Sequence, residues 1–348
     1  MSRKIYKDYN VLCAAKERIS KAFDSCEKYY ISFSGGKDST VMTHLVMDEA
    51  KKRGVTVGLL VIDLEAQYTE TISHVREIVE EYKDHIDLHW FCGELLLRNA
   101  VSDFQPKWVC WDESSVNLWV RDKPKEASDL SQYDFYVPKM EFEELMVLFG
   151  KWYSEEKRTA AFIGIRADES LHRYRAIVSK KNGCMLNNWK WTTKVSGELY
   201  NVYPIYDWRT EDIWVFHSKN KNLSHNKIYD LMTRAGVKYS NQRLCQPFGD
   251  DQKKGLWLYH ILEPDTWYKL LNRVSGVNSG SLYIKETGSI NGSNKVTKPD
   301  NHTWKSYTNY LLKSLPPKMT DHYKERFVKF IVQWKKRGYS EIPDEAPH

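Results

Sequence analysis

The stretch Tyr29-Tyr30-Ile31-Ser32-Phe33-Ser34-Gly35-Gly36-Lys37-Asp38-Ser39-Thr40 decides the fold of this 348-residue chain. It begins with an apolar run, and from Val41 to Met47 apolar residues recur at helical spacing. A strand, a glycine-rich turn and a helix are therefore predicted in immediate succession. Glycines allow an oxyanion to approach the backbone closely, and the amides at the start of a helix point at it. The stretch predicts a site for phosphate or sulfate.

The side chains of this loop suit the same ligand. Lys37 supplies a mobile cation, and the hydroxyl groups of Ser34, Ser39 and Thr40 supply hydrogen-bond donors. The G-x-x-x-x-G-K-[ST] spacing of a Walker A loop is missing. The loop resembles instead the PP-loop, S-G-G-x-D-S, of the ATP pyrophosphatases and the phosphoadenylylsulfate (PAPS) reductases.

The composition limits the classes of function. Charged residues make up 28% of the chain, and no apolar stretch is long enough to span a bilayer. The basic segment 1–7 lacks an apolar signal-peptide region, so we expect a cytoplasmic protein with no membrane contact. The net charge of +6 modestly favours anionic partners, and binding of a nucleotide would be enough to explain this charge. The six cysteines form no C-x-x-C pair, which argues against zinc and against an iron–sulfur cluster.

Strands and helices alternate along the first two-thirds of the chain. The predicted strands are 29–33, 56–62, 86–91 and 159–165, and the predicted helices are 11–28, 39–53, 68–82, 140–157 and 169–179. The segment 57–62 is apolar on both faces, as in a parallel strand covered by helices. We expect an α/β fold with a doubly wound, mostly parallel sheet over residues 1–235 and a helical C-terminal extension over 236–348.

Two polar segments follow predicted strands, at the sheet edge where ligands collect. Asp63 can accept hydrogen bonds from a ribose or an adenine amino group or help to hold a metal, or it can simply cap a helix. In the second segment, Gly164 permits close approach, and Arg166 and Arg173 can contact phosphate oxygens. Ordinary charge pairs on a helix surface are the alternative for this second segment.

Together these segments resemble the adenine nucleotide α-hydrolase superfamily, and within it the PAPS reductase branch. Members of that branch carry S-G-G-K-D-S, an Asp after the second strand, a G-x-R-x-x-E/Q-S-x-x-R run and a P-I-x-x-W segment. The resemblance covers roughly residues 25–220 and implies nucleotide contacts at the matching positions. These positions are Ser34, Gly35, Gly36, Lys37, Asp38, Ser39, Asp63, Gly164, Arg166 and Arg173, and Thr40 adjoins them.

The chain departs from the reductases in its cysteines. PAPS reductases use a cysteine in a C-terminal E-C-G-x-H-type tail, and adenylylsulfate reductases add paired cysteines for an iron–sulfur cluster. No cysteine follows Cys245 in this sequence, so a thiolate attack on sulfur has no obvious donor. We favour a structural role for Cys245, and sulfonucleotide reduction becomes a minor alternative.

The C-terminal third differs from the rest of the chain in its composition and predicted structure. Residues 276–301 are rich in Gly, Ser and Asn and predict a loop or hairpin, and 302–313 and 321–337 predict amphipathic helices. In the second helix the aromatic residues predict core positions, and the basic residues predict a solvated face rather than a nucleic-acid contact. These basic residues are Lys324, Arg326, Lys329, Lys335, Lys336 and Arg337.

Phrases in this tail resemble the IbrA-like proteins, a bacterial PAPS-reductase-like subgroup described as regulators. The phrases are 246–250, 304–307 and 338–345. This resemblance implies a ParB/sulfiredoxin-like (IbrB-like) partner protein.

Our first functional hypothesis is an enzyme that binds ATP or a related adenine nucleotide with Mg²⁺ and cleaves it between the α and β phosphates. The products are pyrophosphate and AMP or an adenylylated acceptor. Lys37, Asp38, Arg166 and Arg173 are the predicted catalytic residues, and Asp38 and Asp63 the predicted Mg²⁺ ligands. The alternatives are a nucleotide-responsive regulator acting with a ParB-like partner or DNA, and a sulfonucleotide reductase or sulfur-transfer enzyme.

Overall fold

The structure is a computed structural model that describes residues 8–178, 185–245, 248–249, 255–277 and 299–338. The predicted glycine-, serine- and asparagine-rich loop falls almost wholly outside these residues, and so does the tail after Gly338. Most of the phrase 246–250 lies outside them as well.

A six-stranded sheet forms the centre of the fold and confirms the predicted α/β class. Its strands lie in the order β3-β2-β1-β7-β9-β8, and only β8 runs antiparallel to its neighbour. They are β1 (Lys28–Ser32), β2 (Val57–Ile62), β3 (Ile86–Phe91), β7 (Thr159–Ile163), β8 (Thr192–Ser196) and β9 (Leu199–Val202). The chain leaves β1 toward β2 and later returns to pair β7 on the other side, so the strand order reverses between β1 and β7. Ligands collect at such a reversal.

Helices connect the strands, and the first five of them lie where the periodicity predicts helices. The described helices of the first part are α1 (Val11–Ser25), α2 (Lys37–Arg53), α3 (Thr69–Tyr82), α4 (Phe142–Ser154), α5 (Leu171–Val178), α6 (Thr210–Lys219) and α7 (Ile228–Arg234). The aromatic stretch between β3 and α4 forms a small second sheet, which periodicity did not predict. It contains β4 (Leu95–Arg98), β5 (Lys107–Cys110) and β6 (Met140–Glu141), in the order β5-β4-β6.

The C-terminal extension shares the core of the sheet domain up to residue 277. Its helices α8 (Leu256–Leu262) and α9 (Pro264–Arg273) bury Tyr259, Trp267 and Leu270 in the same apolar cluster as β1 and β2. The first part of the extension therefore packs as part of the core of the sheet domain.

Two further helices, α10 (Trp304–Lys313) and α11 (Pro317–Lys336), are packed much less tightly. The prediction that the aromatic residues of α11 are core residues is wrong for most of them: Trp334 is 6% exposed, but Phe327 is 43% and Phe330 46% exposed. Helical spacing identifies one face of a helix, and it does not tell whether another element covers that face. No helix in the described part of the chain is long and apolar enough to cross a membrane.

Candidate active site at the PP-loop

The loop between β1 and α2 has the tight backbone that its glycines predict. Gly35 has a φ of +71°, and a Cβ there would lie 2.8 Å from Thr71 Cγ2. Gly36 is the N-cap of α2, and its carbonyl oxygen accepts hydrogen bonds from the hydroxyls of Ser39 at 3.0 Å and Thr40 at 2.8 Å. Ser34 and Ser39 contact each other through their hydroxyl oxygens at 3.0 Å. In this conformation the hydroxyl groups that were predicted to donate to the anion form contacts within the loop and stabilise its backbone.

Gly164 brings β7 against the start of α2. A Cβ at this position would lie 2.7 Å from the Cα of Ser39 and 3.0 Å from its backbone nitrogen, so any other residue would push the helix away. The close approach that the sequence predicts at Gly164 is thus made to the backbone of α2. It places Arg166, two residues further, beside the loop.

Lys37, Asp38 and Arg166 form one charged cluster at the N-terminus of α2. Asp38 accepts a hydrogen bond from Arg166 Nε at 2.7 Å through one carboxylate oxygen, and its other oxygen lies 3.3 Å from Lys37 Nζ. Arg166 is 2% exposed, and its Nη1 has no hydrogen-bond partner among the described residues. A buried guanidinium nitrogen without an acceptor is rare in a folded protein, and a bound anion supplies such an acceptor.

A pocket of about 160 Å³ opens beside this cluster. Its lining residues are Lys37, Arg166, Asp168, Glu169, Thr210, Glu211, Ser240, Gln242 and Arg243. The loops after β1 and β7 both contribute to it, so it lies at the reversal of strand order. The geometry can bind an anion on Lys37 and Arg166, with the positive end of the α2 dipole behind them.

A wider depression of about 490 Å³ lies at the other edge of the sheet, where strands begin, and Arg158 and Glu198 are among its lining residues. Arg158 donates a hydrogen bond from Nε to a carboxylate oxygen of Glu198 at 2.8 Å, so its charge is already paired. Burial raises the pKa of the neighbouring Cys26 to about 12, which keeps that thiol protonated. We assign no ligand to this depression.

Asp63 lies after β2 as predicted, but its carboxylate is used inside the protein. One oxygen accepts from Trp90 Nε1 at 3.1 Å, and the other accepts from the Glu65 amide at 3.0 Å and from the Arg121 guanidinium. Asp63 is completely buried. These contacts hold the loop after β2 in place. The predicted binding of a ribose or a metal by Asp63 stays a prediction.

The carboxylates predicted to hold Mg²⁺ do not fit a protein-held magnesium site. Asp38 is shared between Arg166 and Lys37, and Asp63 is paired with Arg121. No group of three or more His, Cys, Asp or Glu side chains within the described ranges could hold a metal ion. A dedicated cation site needs several oxygen ligands that are not already neutralised by arginine or lysine.

Arg173 is not among the described residues that line the pocket. Its side chain is 51% exposed on α5, and its Nε lies 3.7 Å from a carboxylate oxygen of Glu169. The predicted contact of Arg173 with a phosphate group stays a prediction.

Several residues that hold the PP-loop in place were not predicted from the sequence. Tyr229 accepts a hydrogen bond from the Lys37 amide at 3.1 Å, and Asn226 donates one to the Gly35 carbonyl oxygen at 2.8 Å. Burial raises the pKa of Tyr229, so its hydroxyl stays neutral beside the loop. The side chains of α7 and the turn before it thus clamp the PP-loop from about 190 residues away. No local motif in the sequence indicates this.

Two histidines near α2, the buried His74 and the half-buried His217, make the stability of the fold depend on pH. His74 lies 2.8 Å from the Thr40 hydroxyl through Nε2, and burial lowers its pKa to about 3. Burial also lowers the pKa of His217 to about 4. Both histidines are neutral in the folded state at neutral pH.

We expect the free energy of unfolding to fall as the pH is lowered from 7 to 5. The unfolded chain takes up these protons near pH 6.5 and the folded chain does not, so each histidine removes about 2 kcal/mol over this interval. Urea unfolding at both pH values measures the loss. His74→Gln should flatten the dependence, whereas His260→Gln on the exposed surface of α8 should not. An identical pH slope for His74→Gln and the parent protein would contradict this account.

Comparison with known proteins places the site in a family. Residues 28–234, more than half of the chain, match the family model described as phosphoadenosine phosphosulfate reductase domain. The chain belongs to this family. Residues 236–345 match a second model, described as a domain of unknown function (DUF3440). The charged cluster at the PP-loop is thus part of a PAPS reductase domain, and Ser240, Gln242 and Arg243 of its pocket come from the second region.

Relatives extend over most of the chain. The protein YbdN of Escherichia coli (strain K12) is 40% identical over 343 residues, which are 98% of this chain and 84% of YbdN. Protein MJ0973 of Methanocaldococcus jannaschii is 26% identical over 216 residues, 61% of this chain and 42% of MJ0973. The PAPS reductase of Candida auris, solved as a phosphate complex, is 16% identical, with 65% of this chain and 86% of that chain covered and a TM-score of 0.38. The IbrA-like assignment stays a prediction.

Proposed function

We propose that this protein binds ATP or a related adenine nucleotide at the PP-loop and cleaves it between the α and β phosphates. The observation that supports the proposal best is the buried Arg166, whose Nη1 has no acceptor among the described residues and which lines the same pocket as Lys37. Membership of the PAPS reductase domain family supports an adenine nucleotide as the source of the anion.

In this proposal the chain acts mainly by electrostatic stabilisation. The nucleophile, which is water or the acceptor, forms a bond to the α phosphorus. At the same time the bond between the α phosphorus and the oxygen that bridges the α and β phosphates breaks, and pyrophosphate leaves with the electron pair of that bond. Lys37 and Arg166 hold the phosphate oxygens as negative charge accumulates on the leaving group. Asp38 positions both cations, because its two oxygens lie 2.7 Å from Arg166 Nε and 3.3 Å from Lys37 Nζ. A prepositioned pair of cations needs no reorganisation during the reaction.

Mass spectrometry of bound and released nucleotides tests the proposal. The full chain is incubated with ATP in one arm and with PAPS in the other. Release of pyrophosphate with AMP or an adenylylated product supports the proposed cleavage. Thiol-dependent release of sulfite from PAPS would replace it by the sulfonucleotide reductase alternative, and intact nucleotide in both arms would refute turnover.

The proposed chemistry needs no thiolate, so we expect Cys245→Ser to keep at least half of the activity. Cys245 is half-buried, and it follows the pocket residues Gln242 and Arg243 closely in sequence. The measurement is the rate of pyrophosphate release, with Cys13→Ser at an exposed position of α1 as the control. A Cys245→Ser protein that folds normally and has lost turnover would favour the sulfur-transfer alternative.

A second candidate function is a nucleotide-responsive regulator that acts through a partner protein. The observation that favours it is the surface of α11, where Phe327, Phe330 and Val332 are each more than 40% exposed. Basic residues flank these apolar side chains, so the matching partner is a protein with an apolar groove and an acidic rim.

We expect no nucleic-acid binding by α11 near physiological salt, because apolar side chains interrupt its basic surface. Titration of labelled duplex DNA at low and at physiological salt measures this. Binding through phosphates would weaken with salt by a log–log slope of about −0.9 for each phosphate neutralised. Tight, salt-sensitive binding that is lost when the charges of Lys335, Lys336 and Arg337 are reversed would contradict the expectation.

A further inference from the structure

Part of the pocket wall comes from outside the PAPS reductase domain. Ser240, Gln242 and Arg243 line the pocket together with Lys37 and Arg166, yet they belong to the region that matches DUF3440. The short 3₁₀ turn Tyr239–Asn241 carries Ser240, and Gln242 and Arg243 follow it directly. Two family regions therefore build one pocket.

Gln242 fixes this segment against the PP-loop. Its backbone carbonyl oxygen accepts a hydrogen bond from Lys37 Nζ at 3.1 Å, and the residue is 1% exposed. Its side-chain nitrogen donates to the Thr233 hydroxyl at 2.8 Å and to the Val237 carbonyl oxygen at 3.2 Å. With backbone and side chain both held, the position of the next residue, Arg243, is defined as well.

Arg243 adds a third cation to the pocket. Its Nη2 donates to the backbone carbonyl oxygen of Glu169 at 2.6 Å, which anchors one corner of a guanidinium that has five N–H donors. Asp38 already neutralises one charge of the pair Lys37 and Arg166, so Arg243 supplies charge that a polyanion needs. Three carboxylates, those of Asp168, Glu169 and Glu211, also line the pocket, and Glu169 lies 3.7 Å from Arg173 Nε. Without Arg243 these carboxylates would outnumber the cations in the lining, which makes its charge necessary for binding a polyanion.

We propose that Arg243 binds a second anionic group of the nucleotide, next to the group held by Lys37 and Arg166. The ligand is then a phosphate chain or a phosphate–sulfate end, and the C-terminal region completes the site by binding this end rather than the base or the ribose. This inference rests on the proposed function and assigns to Arg243 the part of the ligand that distinguishes ATP from AMP.

The test compares the dissociation constants of ATP, AMP and inorganic pyrophosphate by calorimetry for the full chain and for Arg243→Gln. Glutamine keeps an N–H donor for the Glu169 carbonyl oxygen but removes the charge. We expect ATP and pyrophosphate to bind about tenfold or more weakly, and AMP to bind within twofold of the parent protein. Arg234→Gln at the exposed end of α7, outside the pocket lining, is the matched control and should change none of the three.

The outcomes separate this inference from the proposed function. Unchanged ATP affinity in Arg243→Gln, or equal losses for ATP and AMP, overturns the role of Arg243 while nucleotide binding itself stands. A parent protein that binds none of the three ligands overturns both proposals. If Arg243→Gln does not fold, Arg243→Met decides, because methionine also removes the charge and keeps an unbranched side chain at this position. An affinity for ATP that falls about threefold or more with AMP unchanged supports the inference, and unchanged ATP affinity overturns it.

Discussion

Lys37→Ala should weaken the binding of every adenine nucleotide at least a hundredfold and leave the fold intact. The ammonium group lies at the N-terminus of α2, 3.3 Å from Asp38, and the residue is 6% exposed. Alanine removes the cation from the anion site, and Asp38 keeps its hydrogen bond to Arg166. A charge-assisted contact in a pocket of this kind contributes about 1.5–3 kcal/mol, and the remaining carboxylate adds repulsion toward phosphate.

Calorimetry with ATP measures this loss, and thermal unfolding checks that the variant is folded. Gly36→Asp should have the same effect by another route, because a carboxylate would enter the cradle where the anion binds. Lys52→Ala is the matched control: it removes a lysine from the exposed last turn of the same helix, where its partner is Asp48. Unchanged affinity in Lys37→Ala for each nucleotide tested would remove the assignment of the loop as an anion site.

Arg273→Met should lower the free energy of unfolding by about 3–5 kcal/mol, because it leaves a buried carboxylate without its cation. Glu65 is completely buried after β2 and accepts hydrogen bonds from Arg273 Nε at 2.8 Å and Nη2 at 3.0 Å. The same Nη2 also donates to the Val109 carbonyl oxygen at 2.7 Å. This bidentate pair joins α9 to the loop that carries Asp63.

Denaturant unfolding measures the change, and two further variants establish its cause. Arg158→Met breaks an arginine–glutamate pair of similar length, 2.8 Å to Glu198, on the surface, and should cost less than about 1 kcal/mol. The double variant Arg273→Met with Glu65→Gln should recover part of the loss, since the unpaired charge is gone and an acceptor for the Trp111 amide remains. A loss no larger than that of Arg158→Met would mean that the buried pair does not hold α9 in place.

Much of the fold could be predicted from the sequence. The predicted strands 86–91 and 56–62 match β3 and β2 to within a residue, and helix 39–53 differs from α2 by two residues at its start. These elements carry long periodic or continuous apolar patterns, which local backbone geometry converts into helix or strand. The short strands β4, β5 and β6 carry no such pattern, and their pairing depends on contacts between distant segments.

The sequence by itself determined the strand, glycine turn and helix of the PP-loop, because those conformations follow from residues within a few positions of one another. It also placed Lys37, Asp38 and Arg166 at the carboxyl edge of a parallel sheet. Only the tertiary structure decided that Arg121 pairs with Asp63, that Arg273 pairs with Glu65, and that Gln242 and Arg243 join the pocket. A buried charge is stable only beside an opposite charge. Tertiary packing determines which opposite charge lies close enough, and that residue can be far away along the chain.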